Sequence, residues 1–145
     1  MSAFDNPATR IPLKEQPLWE RETMPTWEEM AQENHKAAKR LIGAGYARSS
    51  ISRAYYAAYC AAASKLPAGT PSGWRFPNPS HEKLPDFIYS AMGGLSSRDR
   101  VRDLLKSLRK ARREADYVPR ATISMQNAQI AVRDAGFILQ ETLGK

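Results

Sequence analysis

Residues 98–118 read RDRVRDLLKSLRKARREADYV, and the spacing of the apolar residues in this stretch decides the fold class. Each residue of a helix turns by about 100°, so apolar side chains three and four positions apart share one face. The members of this apolar stripe are Val101, Leu104, Leu105, Leu108 and Ala115. Ser97 precedes the stretch as a candidate N-cap, and Pro119 follows it as a stop. The pattern predicts an amphipathic helix whose leucine face is buried.

Caps, glycines and prolines predict the other helices. Thr26 and Glu29 form a capping box that starts the first helix, which ends at Gly43 or Gly45. Residues 67–80 contain four prolines and two glycines, which predicts a long surface loop. The remaining predicted helices cover residues 46–66, about 81–93 with Ser80 as cap, and Thr122 or Ser124 to Leu143.

No stretch of the sequence alternates apolar and polar residues as a strand does. We therefore predict an all-α fold, an up-and-down bundle of four or five helices over residues 26–145. Residues 1–25 contain four prolines and are predicted to form an extended or partly disordered N-terminal tail. Leu13, Leu18 and Trp19 of this tail are candidate contacts to a groove of the bundle or of a partner.

The composition excludes several classes of protein. With 145 residues the chain suits one core, and its 42% hydrophobic and 26% charged residues are typical of a globular protein. Uncharged runs such as 54–64 are far shorter than the ~20 residues of a membrane span. Cys60 is the single cysteine, and His35 and His81 are the two histidines, so we expect no disulfide, no metal site and no cofactor. These features predict a cytoplasmic protein without a membrane partner.

Positive charge is concentrated in the helix quoted above. The net charge of the chain is +7, and residues 98–120 alone hold nine Lys or Arg against four Asp or Glu. One basic ridge lies beside the apolar stripe and comprises Arg98, Arg102, Lys106, Arg109 and Arg113. Such a ridge fits a phosphate backbone, and it also fits a plain solvated face, so the ridge alone leaves both interpretations open.

Arg112 falls inside the apolar stripe, where an unpaired guanidinium would cost several kcal/mol. It therefore needs a partner or a wet cleft, and Asp116, one turn later, is the local candidate. On the second helix three hydroxyl side chains fall within a narrow arc of the helix surface, those of Ser52, Tyr56 and Tyr59. They are candidate partners for a buried polar group on another helix, or tyrosines satisfied within the core.

Three of these stretches together resemble a known family. They are the run Ser52-Arg53-Ala54-Tyr55-Tyr56-Ala57-Ala58-Tyr59, then His81, and then Arg112-Arg113-Glu114-Ala115-Asp116-Tyr117. In this order and spacing they resemble the HEPN family. The resemblance is to stand-alone prokaryotic members with an R-x-x-A-D-Y motif, often encoded beside a minimal nucleotidyltransferase. It implies a helical bundle that pairs into a homodimer, with the polar motif residues near the cleft between subunits.

Catalytic members of that family are metal-independent endoribonucleases with an Arg, four to six residues, and then a His. The histidine would move protons at the 2′-hydroxyl or the leaving oxygen, and the guanidinium would stabilise charge on the phosphate. Arg75 and His81 match this spacing but precede the third helix, whereas the family motif lies in the last long helix. After Arg112 the chain has Asp116-Tyr117 in place of a histidine, so ribonuclease activity, with Arg112 and His81 as its candidate catalytic residues, is a secondary hypothesis.

The leading hypothesis is a protein that binds RNA or a nucleotide-bearing partner in a toxin–antitoxin or defence setting, as the resemblance implies. Its candidate binding residues are Ser52, Tyr56, Arg75, Arg102, Arg109, Arg113, Asp116 and Tyr117. The predicted partners are RNA, a second copy of the chain and a minimal nucleotidyltransferase antitoxin. The alternative is a non-catalytic interaction module that docks a partner through the N-terminal tail and the dimer cleft.

Overall fold

The computed structural model describes residues 25–67, 74–75 and 78–144, and of Trp74, Arg75 and Asn78 it describes the backbone alone. Within these ranges the chain forms five α-helices and one pair of two-residue strands. The helices are α1 (Trp27–Gly43), α2 (Ala47–Ala63), α3 (Leu84–Ala91), α4 (Arg98–Tyr117) and α5 (Met125–Leu143). Strands β1 (Trp74–Arg75) and β2 (Asn78–Pro79) pair antiparallel inside the segment predicted as a loop. The predicted all-α fold is confirmed.

Two helices begin with capping boxes. The Thr26 side chain accepts a hydrogen bond from the Glu29 amide, and the Glu29 side chain accepts one from the Thr26 amide. Ser124 and Asn127 form the same arrangement at the start of α5, which selects Ser124 over Thr122 as its cap. The predicted side-chain cap at Ser97 is wrong in detail, because this residue holds the N-cap position of α4 without a side-chain hydrogen bond.

Helix α3 starts later than predicted. Residues 81–83 form a turn in which the Ser80 hydroxyl accepts from the Lys83 amide at 3.4 Å. The helix proper begins at Leu84 with Pro85 in its first turn, where a missing N–H costs no helical hydrogen bond. The proline that interrupts the sequence pattern therefore stabilises the helix start.

Helix α2 is the centre of the bundle and contacts the other four helices. Its buried positions include a run of alanines that let neighbouring helices approach closely, and they share the core with Ile51, Tyr55 and the free thiol of Cys60. The buried alanines are Ala54, Ala57, Ala58, Ala61, Ala62 and Ala63. The predicted leucine face of α4 packs onto this core, with Val101, Leu105 and Leu108 at most 2% exposed. Among the helices just described, none is long and apolar enough to cross a membrane.

Candidate functional site

The guanidinium of Arg112 joins α4 to α2. Its Nη2 donates to the Tyr56 hydroxyl at 2.8 Å and to the Tyr117 hydroxyl at 3.1 Å. Its Nε lies 3.0 Å from Oδ2 of Asp116, and the Arg112 side chain is 16% exposed. The position of Arg112 inside the apolar stripe and its pairing with Asp116 are therefore as the sequence predicts.

The carboxylate of Asp116 has a second partner on α2. Its Oδ2 accepts a hydrogen bond from the Ser52 hydroxyl at 3.1 Å. The Nε–H of Arg112 is not aligned with this oxygen as in a hydrogen bond, so the contact between Arg112 and Asp116 is an ion pair. Charge neutralisation, rather than a linear hydrogen bond, thus compensates for the partial burial of the Arg112 guanidinium.

Aromatic rings surround the same guanidinium. Its Cζ lies 5.2 Å from the ring centroids of Tyr56 and Tyr117 and 5.8 Å from that of Tyr55. These distances are within the range of cation–π attraction, which strengthens when water is excluded. Arg112 is therefore held by one carboxylate, two hydroxyls and three rings.

His81 belongs to the aromatic part of this cluster. A hydrogen bond of 2.6 Å joins its Nδ1 to the Tyr55 hydroxyl, and its ring stacks on Tyr59 with centroids 4.4 Å apart. The Tyr56 ring meets His81 edge-on at 6.2 Å. Burial lowers the pKa of His81 below its usual 6.5, and the positive charges of Arg112 and Arg109 lower it further. The imidazole is therefore neutral at pH 7.

The predicted hydroxyl cluster of α2 is divided between two partners. Ser52 and Tyr56 meet the Arg112–Asp116 pair, but the Tyr59 hydroxyl donates to the Pro79 carbonyl at 2.6 Å. Tyr59, 4% exposed, thus fits the alternative interpretation of a tyrosine satisfied within the core. Tyr55 is 1% exposed, and its hydroxyl contact with His81 has no signal in the sequence.

Arg48 is a second residue that the sequence did not single out. Its guanidinium donates to five backbone carbonyls at the end of α4 and in the following turn, at 2.6–3.4 Å. The acceptors are Glu114, Ala115, Val118, Pro119 and Ala121. The Glu114 carbonyl also accepts from the Val118 amide, whereas the Ala115 carbonyl is followed four residues later by Pro119, which has no N–H. The other three carbonyls lie beyond the helix, so Arg48 caps α4 from another helix. It thereby holds the backbone next to Asp116 and Tyr117.

The basic ridge of α4 has two parts with different surroundings. At the N-terminal part Arg98 and Arg102 both lie over the Tyr89 ring, at 4.3 and 4.5 Å from its centroid. Arg102 also pairs with Asp99 and Asp103 at 3.2 and 3.5 Å. Intramolecular contacts therefore partly neutralise this part of the ridge.

The C-terminal part of the ridge borders an open groove of about 550 Å³, called here the basic groove. Four cations and one acidic side chain line it together with the aromatic ring of Tyr117. Its lining residues are Lys106, Arg109, Lys110, Arg113, Glu114, Tyr117 and Val118. A second groove of about 460 Å³ is lined by residues that include Ser52, Tyr56 and Asp116. Arg109, Arg113 and Tyr117 thus border one groove, and Ser52, Tyr56 and Asp116 border the other, whereas Arg102 borders neither. Arg112 contacts residues of both grooves.

The side chain of Arg75 and the three candidate contacts of the tail lie outside the described part of the molecule. The backbone of Arg75 pairs with Asn78, but its side chain is not among those described. The predicted tail, apart from Pro25, falls in residues 1–24, so its candidate contacts Leu13, Leu18 and Trp19 lie outside the described residues as well.

Comparison with known proteins assigns the family. No curated protein matches the chain. The family model of the HEPN domain matches residues 24–145, which includes all five helices and both grooves. Because this match covers most of the sequence, the chain belongs to the HEPN domain family.

Proposed function

We propose that this protein binds RNA through the basic groove. The observation that carries the proposal is the grouping of Lys106, Arg109, Lys110 and Arg113 around one groove that ends at the exposed Tyr117. Neutralising phosphates with Lys and Arg releases counterions from RNA, and this release drives much of its binding. Membership of the HEPN domain family and the net charge of +7 support a nucleic-acid ligand.

The contacts of Arg112 and His81 hold both side chains in place within the fold. Arg112 donates hydrogen bonds to Tyr56 and Tyr117 and forms an ion pair with Asp116. A hydrogen bond joins Nδ1 of His81 to the Tyr55 hydroxyl. Nη1 of Arg112 and Nε2 of His81 have no hydrogen-bond partner among the described residues, so each side chain is bonded at some nitrogens and keeps another unbonded. We assign Arg112 and Asp116 to positioning Tyr56 and Tyr117. Because the chain has Asp116-Tyr117 where catalytic members of the family have a histidine, metal-independent ribonuclease activity stays a secondary hypothesis.

The R-x-x-A-D-Y motif supports a narrower proposal about biological setting. In this chain the motif residues Arg112, Ala115, Asp116 and Tyr117 lie together at the end of α4. Its resemblance to HEPN proteins encoded beside minimal nucleotidyltransferases supports a toxin–antitoxin or defence role and a homodimer. A neighbouring nucleotidyltransferase gene would support this setting, and copurification of the two products would test it directly.

A specific observation favours a second candidate, a protein-interaction module. Between α4 and α5 lies a groove of about 290 Å³ whose lining includes Ala111, Ile123 and Ile130, the last 40% exposed. The same groove is also lined by Glu114, Asn127 and Asp134, so it offers a partner protein both apolar contacts and hydrogen-bonding groups. Sedimentation of the chain alone and with a candidate partner tests this function independently of RNA.

A salt titration tests the proposed RNA binding. The double variant Arg109→Gln/Arg113→Gln should weaken binding of a labelled RNA and lower the slope of log K against log salt by about 1.4, or ~0.7 for each phosphate that is no longer neutralised. The matched control, Lys39→Gln/Lys65→Gln, removes the same charge from exposed positions outside the basic groove. Equally weakened binding in both variants would show that net charge, and not this groove, binds RNA.

A further inference from the structure

We propose that the basic groove takes single-stranded RNA and stacks one base on the ring of Tyr117. This inference deepens the proposed function and rests on it. Attraction of phosphates to the cations does not explain one feature of the groove. This feature is the large, exposed aromatic side chain of Tyr117 at the end of the row of cations.

Tyr117 is exposed and at the same time held in place. It is 67% exposed, the highest value among the large hydrophobic residues of the described ranges. Its hydroxyl accepts a hydrogen bond from Nη2 of Arg112, and the guanidinium carbon of Arg112 lies over its ring. Arg48, bonded to the carbonyl of the next residue, Val118, restrains the backbone beside it. A ring restrained before binding loses little conformational entropy when a base stacks on it.

The cations and the ring form one row along α4. Lys106, Lys110, Arg113 and Tyr117 are separated by four, three and four residues, so they share one face of the helix. At 1.5 Å per residue the row is about 16 Å long. A short strand can therefore lie along it with phosphates on the cations and one base at Tyr117.

A duplex cannot use this ring in the same way. Paired bases are stacked inside the helix, whereas a single strand can turn a base outward onto an aromatic side chain. Phosphate contacts alone would serve both forms. The presence of Tyr117 in the basic groove thus predicts a preference for single strands that charge by itself does not supply.

The test compares one labelled single-stranded RNA octamer with a duplex of the same sequence. Tyr117→Ala should weaken binding of the single strand ~5- to 150-fold, the range that stacking of one base on an aromatic ring supplies. Its affinity for the duplex should change less than about twofold, because phosphate contacts are retained. Tyr117→Phe keeps the ring and should stay within about threefold of the original protein on both ligands.

Circular dichroism and urea unfolding establish that each variant folds. Equal losses of affinity for single strand and duplex in Tyr117→Ala would overturn the stacking inference and leave the proposed function standing. So would a loss in Tyr117→Phe as large as that in Tyr117→Ala, since the hydroxyl and not the ring would then be responsible. If the original protein binds neither RNA at low salt, the proposed function and this inference both fail.

Discussion

Nη2 of Arg112 lies 2.8 Å from the hydroxyl oxygen of Tyr56, so a charged side chain of α4 ends on the central helix of the bundle. The same nitrogen also donates to Tyr117, and the Nε side of the guanidinium pairs with Asp116. One residue therefore links the core-facing polar group of α2 to the exposed end of the basic groove.

Arg112→Ala should destabilise the fold. It leaves the partly buried Asp116 carboxylate without its cation and the Tyr56 hydroxyl without its donor, at a cost of about 2 kcal/mol after allowance for partial exposure. Urea unfolding followed by circular dichroism measures this change. Arg113→Ala, an exposed neighbour on the same helix, should change stability by less than about 0.5 kcal/mol. A similar cost for both substitutions would argue against the ion-pair cluster.

Arg48→Lys should also destabilise the protein although it keeps the charge. The planar guanidinium of Arg48 donates to five carbonyls of residues 114–121, whereas a lysine ammonium has only three N–H donors on one nitrogen. We therefore expect the free energy of unfolding to decrease by about 1–2 kcal/mol. Faster amide exchange at the end of α4 should accompany this decrease. Arg40→Lys, at an exposed position in the last turn of α1, is the matched control. Unchanged exchange in Arg48→Lys would refute the capping role.

Stability should fall as the pH is lowered below neutrality. Burial lowers the pKa values of His81 and His35 below 6.5, so the unfolded chain binds protons that the folded chain does not. The free energy of unfolding therefore decreases from about pH 6.5 downward and levels off below the lowered pKa values. Urea midpoints between pH 7.5 and 5 measure the effect. Replacing His81 by Gln should flatten this dependence, and an unaltered pH dependence in that variant would contradict the assignment.

Cys60 should be unreactive in the folded protein. Burial raises the pKa of its thiol to about 11, and the residue is 2% exposed in the core of α2. At pH 8 a thiol reagent should label the native chain at least ~100-fold more slowly than the urea-unfolded chain. Since the sequence has a single cysteine, one absorbance signal reports the rate. Rapid labelling of the native protein would show that this part of the core opens readily.

The sequence was sufficient for the number and order of the helices and for the position of Arg112. Periodicity identified the buried face of α4, and the capping box and glycines identified the ends of α1, because these signals depend on residues close together in the chain. The pairing of Arg112 with Asp116 was predictable for the same reason, since the two lie one helical turn apart. Local interactions therefore determined the helices and the unusual position of Arg112 within the apolar stripe of α4.

Only the tertiary structure decided which groups share a site. His81 meets Tyr55 and Tyr59 across a loop, and Arg48 meets the end of α4 more than 60 residues away. No periodicity within one helix reports such contacts, because they depend on how α2 and α4 cross and on where the chain returns after β2. In the basic ridge the ion pairs of Arg102 with Asp99 and Asp103 are local, whereas the Tyr89 ring meets Arg98 and Arg102 only because α3 packs beside α4.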